Sequence, residues 1–405
     1  MDSNPNPFPV RLVAEDLELR IIAAAFKSLH EKDGFQGRGP ELMDLPVRVL
    51  DGERHGFILA NQLQVVRAEI TAQHRAVNVT EDSLAQLLAF CCVVGRTSVS
   101  SGLPSVAAIE RAVTSRTKVV MPVDIGGWPC DYDAIAALVK KRAPVFVPRT
   151  DVQRALGRIL VLSDAAHSVG AVYKKRKIGG ITDVTVFSFH AVKNLTTAEG
   201  GAVALNLPAP FDNEELYRQL CVKTLHGQNK DALAKMQKAN WRYDIVEAGY
   251  KCNMTDIAAA IGLVELERYD EDTLVKRRRV FEQYTAAFSK HAWAQLPVYE
   301  RDGSHSSYHL YPLRIKGVTE AQRDAIIQGI FDRDVSVNVH FIPVPMMSFY
   351  RALGYDVHDT PVAYDNYARE ISLPVYYTLS DAQVQEVIDA VVAAVKDVTA
   401  VDLVH

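Results

Sequence analysis

Apolar residues along the chain recur with two different spacings, and the spacing names the element. Helical periodicity runs through residues 15–30, where Leu17, Ile21, Ile22, Ala25 and Leu29 share a face, and a glycine-rich connection over 33–39 follows. From residue 105 the pattern alternates regularly. It predicts a short helix over 105–113, a strand over 118–123, the loop Ile125-Gly-Gly-Trp-Pro and a helix over 132–141. The runs 159–162 and 184–189 are apolar throughout, as in parallel strands covered on both faces, and both end in polar residues. Residues 201–206 read as a third strand, hairpin-like after the second. Between the helix at 132–141 and the first of these strands, 142–158 is longer than a usual helix-to-strand link and reads as a surface insertion. A helix over 214–225 precedes a long helical region, 257–290, whose charged middle places a bend near Asp270. The remainder predicts a strand over 308–315, a helix over 320–332, a strand over 335–341 and a closing helix over 381–395. Strand, loop, helix, strand is the alternation of an open parallel sheet with helices on its faces, followed here by a smaller α+β layer.

Composition narrows the class without changing this picture. The 405 residues are 48% hydrophobic and 23% charged, as in an ordinary globular protein with a sizeable core. A net charge of −4, with only short basic runs at 174–177 and 277–279, argues against a nucleic-acid partner. No run of about 18 apolar residues offers a membrane span. The five cysteines, Cys91, Cys92, Cys130, Cys221 and Cys252, have neither metal-ligand spacing nor a paired framework, so no metal site is expected. Thiols of this kind suit the cytoplasm, and the opening residues lack the basic-then-apolar pattern of a signal peptide.

The candidate chemistry lies where the two buried strands end. Asp164 and His167 leave the first, in Ser163-Asp-Ala-Ala-His; Ser188, His190 and Lys193 leave the second, in Phe187-Ser-Phe-His-Ala-Val-Lys-Asn-Leu-Thr-Thr-Ala-Glu-Gly-Gly. An acid, a histidine, a hydroxyl and a lysine thus converge on the edge of a parallel sheet where ligands bind. A lysine there, with a carboxylate to keep a pyridine nitrogen protonated, is the constellation that carries pyridoxal 5'-phosphate as a Schiff base. Lys193 would bond the cofactor and shuttle a proton, Asp164 would pair with the ring nitrogen, and Ser188 could bind the phosphate. Gly200 and Gly201 would allow close backbone approach and positive φ.

These residues resemble the DegT/StrS family of sugar aminotransferases, of pyridoxal-phosphate fold type I, most specifically between Asp164 and Gly201. The resemblance implies an α/β large domain with a mostly parallel, seven-stranded-type sheet over residues 1–250. A linking long helix and a small α+β domain would follow over 251–405. It carries Lys193 over as the catalytic, cofactor-bonding residue. By the same match Asp164 is the pyridinium partner, His167 lies against the ring and Ser188 is on the phosphate. Gly249-Tyr-Lys-Cys-Asn-Met-Thr-Asp256 resembles a second family motif, in which Asn253 reaches the cofactor phosphate of the neighbouring subunit. As plain residues, Asn253 and Thr255 are equally candidate caps for the helix opening near Asp256. His340 matches a family position near the substrate. Residues 51–95 depart from the family pattern, so no phosphate-loop or ring-stacking residue is assigned there. The implied activity is ping-pong transfer of an amino group, from an amino acid such as L-glutamate to a nucleotide-linked keto-deoxysugar, by a homodimer with shared sites. Two readings stand beside it: a dehydratase or lyase, in whose branch histidine replaces the lysine, and a degenerate member that only binds.

Overall fold

The computed structural model describes residues 105–230 and 240–401. The expected helix at 15–30, the connection at 33–39, the divergent stretch 51–95 and Cys91-Cys92 lie outside the described residues. Helix α1 (Val106–Ala112) leads into strand β1 (Val119–Val120). Helix α2 (Tyr132–Arg142) starts where the Asp131 carboxylate accepts from the amide of Ala134 at 3.2 Å. It buries Tyr132, Ile135, Leu138 and Val139 along one stripe, while Lys140, Lys141 and Arg142 complement the dipole of its last turn. The long link beyond it holds a helix of its own, α3 (Asp151–Leu156), closed by Gly157 at φ 68°.

The main sheet is then completed by β2 (Leu160–Asp164), by β5 (Val184–Ser188) and by β6 (Gly201–Leu205), the short strands β3 (Val172–Tyr173) and β4 (Arg176–Lys177) lying between in sequence. Its order is β1-β2-β5-β6. The first three strands are parallel, and β6 turns back antiparallel on β5, as the hairpin pattern predicts. This is an α/β architecture with a mostly parallel sheet. A bidentate ion pair secures its lower end: both Arg158 Nη atoms donate to Asp183 at 2.6 Å, and the same carboxylate accepts the amide of Val161 at 2.9 Å.

Helix α4 (Asn213–Thr224) precedes the long helical region, which comprises α5 (Asp256–Glu267) and α6 (Leu274–Phe288). The bend expected near Asp270 is a π-helical turn over Tyr269–Thr273, a common cause of a kink. Short strands β7 (Ala294–Gln295), β8 (Glu300–Arg301) and β9 (Ser304–His305) follow, then β10 (Tyr311–Ile315). Strands β8 and β9 join β4 and β3 in a separate small sheet of order β4-β3-β9-β8. Helix α7 (Glu320–Phe331) opens with a capping box between Thr319 and Gln322. After α8 (Ser348–Ala352) and α9 (Pro361–Arg369), strand β11 (Glu370–Leu373) pairs with β10, and α10 (Asp381–Val401) closes the layer.

One expected strand is corrected. Residues 335–341 form no ladder; only Asn338 pairs, exchanging both backbone bonds with Ser372 at 3.1 and 2.8 Å. The run is apolar enough for a strand and lies along the outer edge of β11, but the amides of Val339 and His340 turn to the side-chain oxygens of Asn338 and Glu370, both at 2.8 Å, so a single bridge remains.

Helix α6 places Phe281 at the centre of an aromatic cluster, edge-on to Tyr299, Tyr308 and Tyr311 at centroid distances of 5.6, 5.4 and 5.0 Å. Phe281 is 1% exposed, so its truncation leaves a cavity that fixed neighbours cannot fill. Phe281→Ala should therefore lose about 3–5 kcal/mol of stability, read by urea unfolding. A loss below about 1 kcal/mol would show that this cluster collapses freely.

Candidate active site

Three parallel strands deliver polar residues to one edge of the sheet. Asp164 ends β2, pairs with Val186 of β5 and bridges Val123 beyond β1, so Asp124, Asp164 and Ser188 arrive side by side. Asp124 is fully buried, and burial raises its pKa to about 6. Its carboxylate accepts from Tyr132 Oη at 2.7 Å, from the Cys130 amide at 2.8 Å and from Ser168 Oγ at 2.8 Å. These bonds hold the turn Ile125–Gly127 against the sheet, and the turn in turn holds His167: the amide of Gly126 donates to His167 Nδ1 at 3.2 Å. At Gly127, φ is 93°, and a side chain would meet Ser307 Oγ at 2.1 Å, so only glycine fits.

Because Nδ1 of His167 accepts, its ring proton sits on Nε2. Burial, reinforced by Lys193 and His340, pushes the pKa of His167 well below the usual range, and His309 is lowered mainly by burial as well. The two neutral rings lie 4.5 Å apart between centroids, and Phe341 stacks with His167 at 6.1 Å.

The loop between β5 and β6 carries Lys193. Its two ends are stitched together by the Phe189 amide on the Gly200 carbonyl at 2.8 Å and by the Thr197 amide on the Phe189 carbonyl at 2.9 Å. Inside this clasp Lys193 is only 9% exposed. Burial lowers its pKa to about 8, against the opposing pull of the Asp164 charge. Asp164 Oδ1 also accepts the amide of Ala166 at 3.1 Å. Next to the lysine, Asn194 Nδ2 donates to the Ser307 carbonyl at 2.6 Å and Oδ1 accepts from His309 Nδ1 at 2.8 Å. Gly200 does need its missing side chain, since a Cβ there would stand 2.2 Å from Thr197 Oγ1. Neither Gly200 nor Gly201 takes the expected positive φ. That conformation falls on Ala198, at φ 64°, where the Thr196 hydroxyl accepts the Ala198 amide at 3.0 Å and steadies the turn.

His167, Ser188 and Lys193 line one narrow cleft together with Asn194 and His309. Across His309 lies a larger cavity of about 380 Å³, lined by Val192, Arg277, Asn338, His340 and Tyr376 among others. Burial, with the Lys193 charge, lowers the pKa of His340 to about 4. Asp164, His167, Ser188, Lys193 and His340 are therefore brought together. Asn253 is not among the lining residues. It is exposed, accepts from Lys251 Nζ and donates to the Met254 carbonyl at 3.1 Å. Of its two open roles, the cap belongs to Thr255, whose hydroxyl accepts the Ala258 amide at 3.2 Å.

The sequence reading missed Asp124, Asn194, Arg277 and His309. Asn194 stands inside the quoted motif, but its partner His309 is 115 residues away, and nothing local marks their contact. Buried Arg277 donates to the carbonyls of Tyr308 and His309 at 2.9 Å each. In sequence it is one of three consecutive arginines and reads as a solvated face.

The donor set fits pyridoxal phosphate: an amine of lowered pKa, a neutral flat ring and a buried hydroxyl border one cleft, and the charge of the Asp164 carboxylate reaches the amine. Comparison with known proteins agrees. The profile of the DegT/DnrJ/EryC1/StrS aminotransferase family matches residues 80–392. The spore coat polysaccharide biosynthesis protein SpsC of Bacillus subtilis is 38% identical over 294 residues, 71% of this chain and 69% of SpsC. Among solved structures, a protein assigned as a sugar aminotransferase, Spr1654 of Streptococcus pneumoniae in its PMP form, superimposes with a TM-score of 0.70. It is 39% identical, over 74% of this chain and 75% of that one. PseC of Helicobacter pylori, an aminotransferase of pseudoaminic acid biosynthesis, gives a TM-score of 0.61 at 26% identity, over 73% and 71% of the two chains. With the lysine, the carboxylate and the cleft in these positions, the chain belongs to the DegT/DnrJ/EryC1/StrS family, the pyridoxal-phosphate-dependent sugar aminotransferases.

Proposed function

We propose that the protein transfers an amino group from L-glutamate to a nucleotide-linked keto-deoxysugar by a ping-pong cycle, in the assembly of a polysaccharide. The observation that carries this reading is the position of Lys193. Its amine is buried in the small cleft, and the adjoining Val192 lines a cavity of about 380 Å³, within the size range of small-molecule sites. The name of the relative SpsC, a polysaccharide biosynthesis protein, supports the pathway class.

Bound pyridoxal phosphate supplies an electron sink for the substrate's α-carbon. The residues of the chain do the rest. Lys193, as a free amine, would hold the cofactor through its aldehyde with loss of water, and Nζ, when freed by the donor amine, would take the proton from the substrate carbon and return it. Asp164 would keep the pyridine nitrogen protonated. His167, held neutral by burial, would lie against the ring, and Ser188 would donate to the phosphate. Lysine at position 193, where the dehydratase branch has histidine, favours amino transfer over dehydration. His340 meets the substrate in the larger cavity.

A homodimer completes the site in this reading, with Asn253 reaching the neighbour's phosphate. Its support is an exposed apolar surface beside Asn253. Trp241, Tyr243, Ile245, Val246 and Tyr250 are exposed, and Ile257, Ile261 and Val264 form an exposed stripe along α5, Ile257 at 78%. A second copy of the chain would cover it, in an interface of the obligate class above about 2,000 Å². Among the described residues no helix is long and apolar enough to cross a membrane, and the three described cysteines are free thiols, in accord with a reducing cytoplasm.

Reduction of the cofactor-loaded protein with borohydride should fix the cofactor on Lys193, as read by peptide mass, and L-glutamate added beforehand should prevent the labelling and release 2-oxoglutarate. Label on another lysine would remove the site assignment. Loading of cofactor-free protein should speed up as pH rises and level off above about 8, because the free amine is the reactive form and Lys193 loses its proton there. An ordinary lysine would still be accelerating at pH 10.

Asp164→Asn should keep the covalent link yet slow turnover by about 10²-fold or more, since an amide cannot hold the ring proton as a carboxylate does. Unchanged turnover would assign the pairing to another group.

Mixing Lys193→Ala with Asn253→Ala under subunit exchange should restore activity above either parent, to at most half of wild type per mixed dimer. One site of the mixed pair then has Lys193 and receives Asn253 from the other chain. If Asn253→Ala alone is impaired and confirmed exchange restores nothing, Asn253 serves its own subunit.

A further inference from the structure

Behind His340 stand two buried polar residues that the reaction as described does not use. Glu370 and Ser372 lie two apart on β11, on the same face of the strand, and are 3% and 4% exposed. The backbone bonds between Asn338 and Ser372 bring residue 340 alongside them. The amide of His340 donates to Glu370 Oε2 at 2.8 Å. The Ser372 hydroxyl donates to Glu370 Oε1, and Ser372 Oγ lies 2.8 Å from His340 Nδ1.

With Glu370 ionised, counting hydrogens fixes the polarity of this chain. A hydroxyl has one hydrogen, and Ser372 spends it on the carboxylate. Toward the imidazole Ser372 can therefore only accept, so Nδ1 must carry the ring proton. The other nitrogen is left bare, and among the described residues Nε2 makes no hydrogen bond. The ring borders the cavity that also holds Val192, Asn338 and Tyr376.

We propose that Glu370 and Ser372 are positioning residues that fix His340 as the Nδ1–H tautomer, so that Nε2 offers the cavity an acceptor for an O–H group of the substrate. A bare nitrogen attracts a hydroxyl and repels a carbonyl oxygen, so this position reads a hydroxyl of the sugar and not its reacting ketone. Naming that group a sugar hydroxyl rests on the function proposed above; the tautomer does not. The charge state of Glu370 matters to the relay. Burial raises its pKa to about 7, while the Ser372 hydroxyl, the His340 amide and the guanidinium groups of Arg323 and Arg314 favour the anion. Above that pH the carboxylate accepts both bonds. His340, lowered by burial and by Lys193, is neutral there.

The test uses cofactor-loaded protein labelled with ¹⁵N-histidine, without substrate, well above pH 7. The His340 signals are assigned by their loss in His340→Gln, and coupling to hydrogen shows which nitrogen is protonated. Wild type should show protonated Nδ1 and bare Nε2. Ser372→Thr, which keeps the hydroxyl, should match it. Ser372→Ala removes the one acceptor that Nδ1 has among the described residues and should move the proton to Nε2. A wild-type ring protonated on Nε2, or a Ser372→Ala ring unchanged from wild type, would overturn the proposal. Because no substrate is present, either result is independent of whether the sugar and donor have been named correctly.

Discussion

A lysine amine cannot be buried cheaply as a cation, and the surroundings of Lys193 answer to that constraint. Desolvation favours the neutral amine, which is also the form that can bond an aldehyde. Full removal of positive character would lose the attraction of the nearby carboxylate, so the Asp164 charge limits how far the shift goes. The result lies close to neutrality, where one group can both bond and carry a proton. Keeping the amine in this state requires that water be excluded and the loop held still. The clasp between Phe189, Thr197 and Gly200 and the anchorage of Asn194 on Ser307 and His309 supply that rigidity.

The anchorage has a second consequence. Ser307 and His309 sit just before β10, in the part of the chain that builds the smaller layer, and Arg277 of α6 holds the same backbone through the carbonyls of Tyr308 and His309. Tyr308 is kept at φ 56°, a conformation that a non-glycine residue adopts only when its surroundings impose it. The lysine loop, the helix α6 and the entry to β10 therefore share one buried polar knot. The Asp124 cluster does the same on the other side, fixing the turn that holds His167. The two histidine rings meet between the knots.

How much of this was legible beforehand depended on how local the cause was. The apolar runs that end in Asp164 and Ser188, the hairpin after Lys193 and the bend near Asp270 all follow from patterns within a few residues. The Thr255 cap was named but not separable from Asn253, because both residue types cap helices and only the backbone geometry chooses between them. The run 335–341 shows the reverse failure. Its apolar composition permits a strand, yet a ladder needs successive backbone amides, and here those of Val339 and His340 are taken by the side chains of Asn338 and Glu370.

The sequence by itself determined the class of chemistry, since the residue types around Asp164 and Lys193 and their spacing from two strand ends admit few cofactors. It also determined the long helices and the main-sheet strands from residue 105 onward, though neither α9 nor β11, because periodicity is a property of neighbours in the chain. Only the tertiary structure decided which polar residues stand behind those in front. Asn194 finds His309 and Glu370 finds His340 across 115 and 30 residues respectively, and such meetings depend on how strands register and helices cross. Protonation states were likewise decided there. A histidine's charge and tautomer are set by desolvation and by the partner of its other nitrogen, and neither exists until the chain has folded around it.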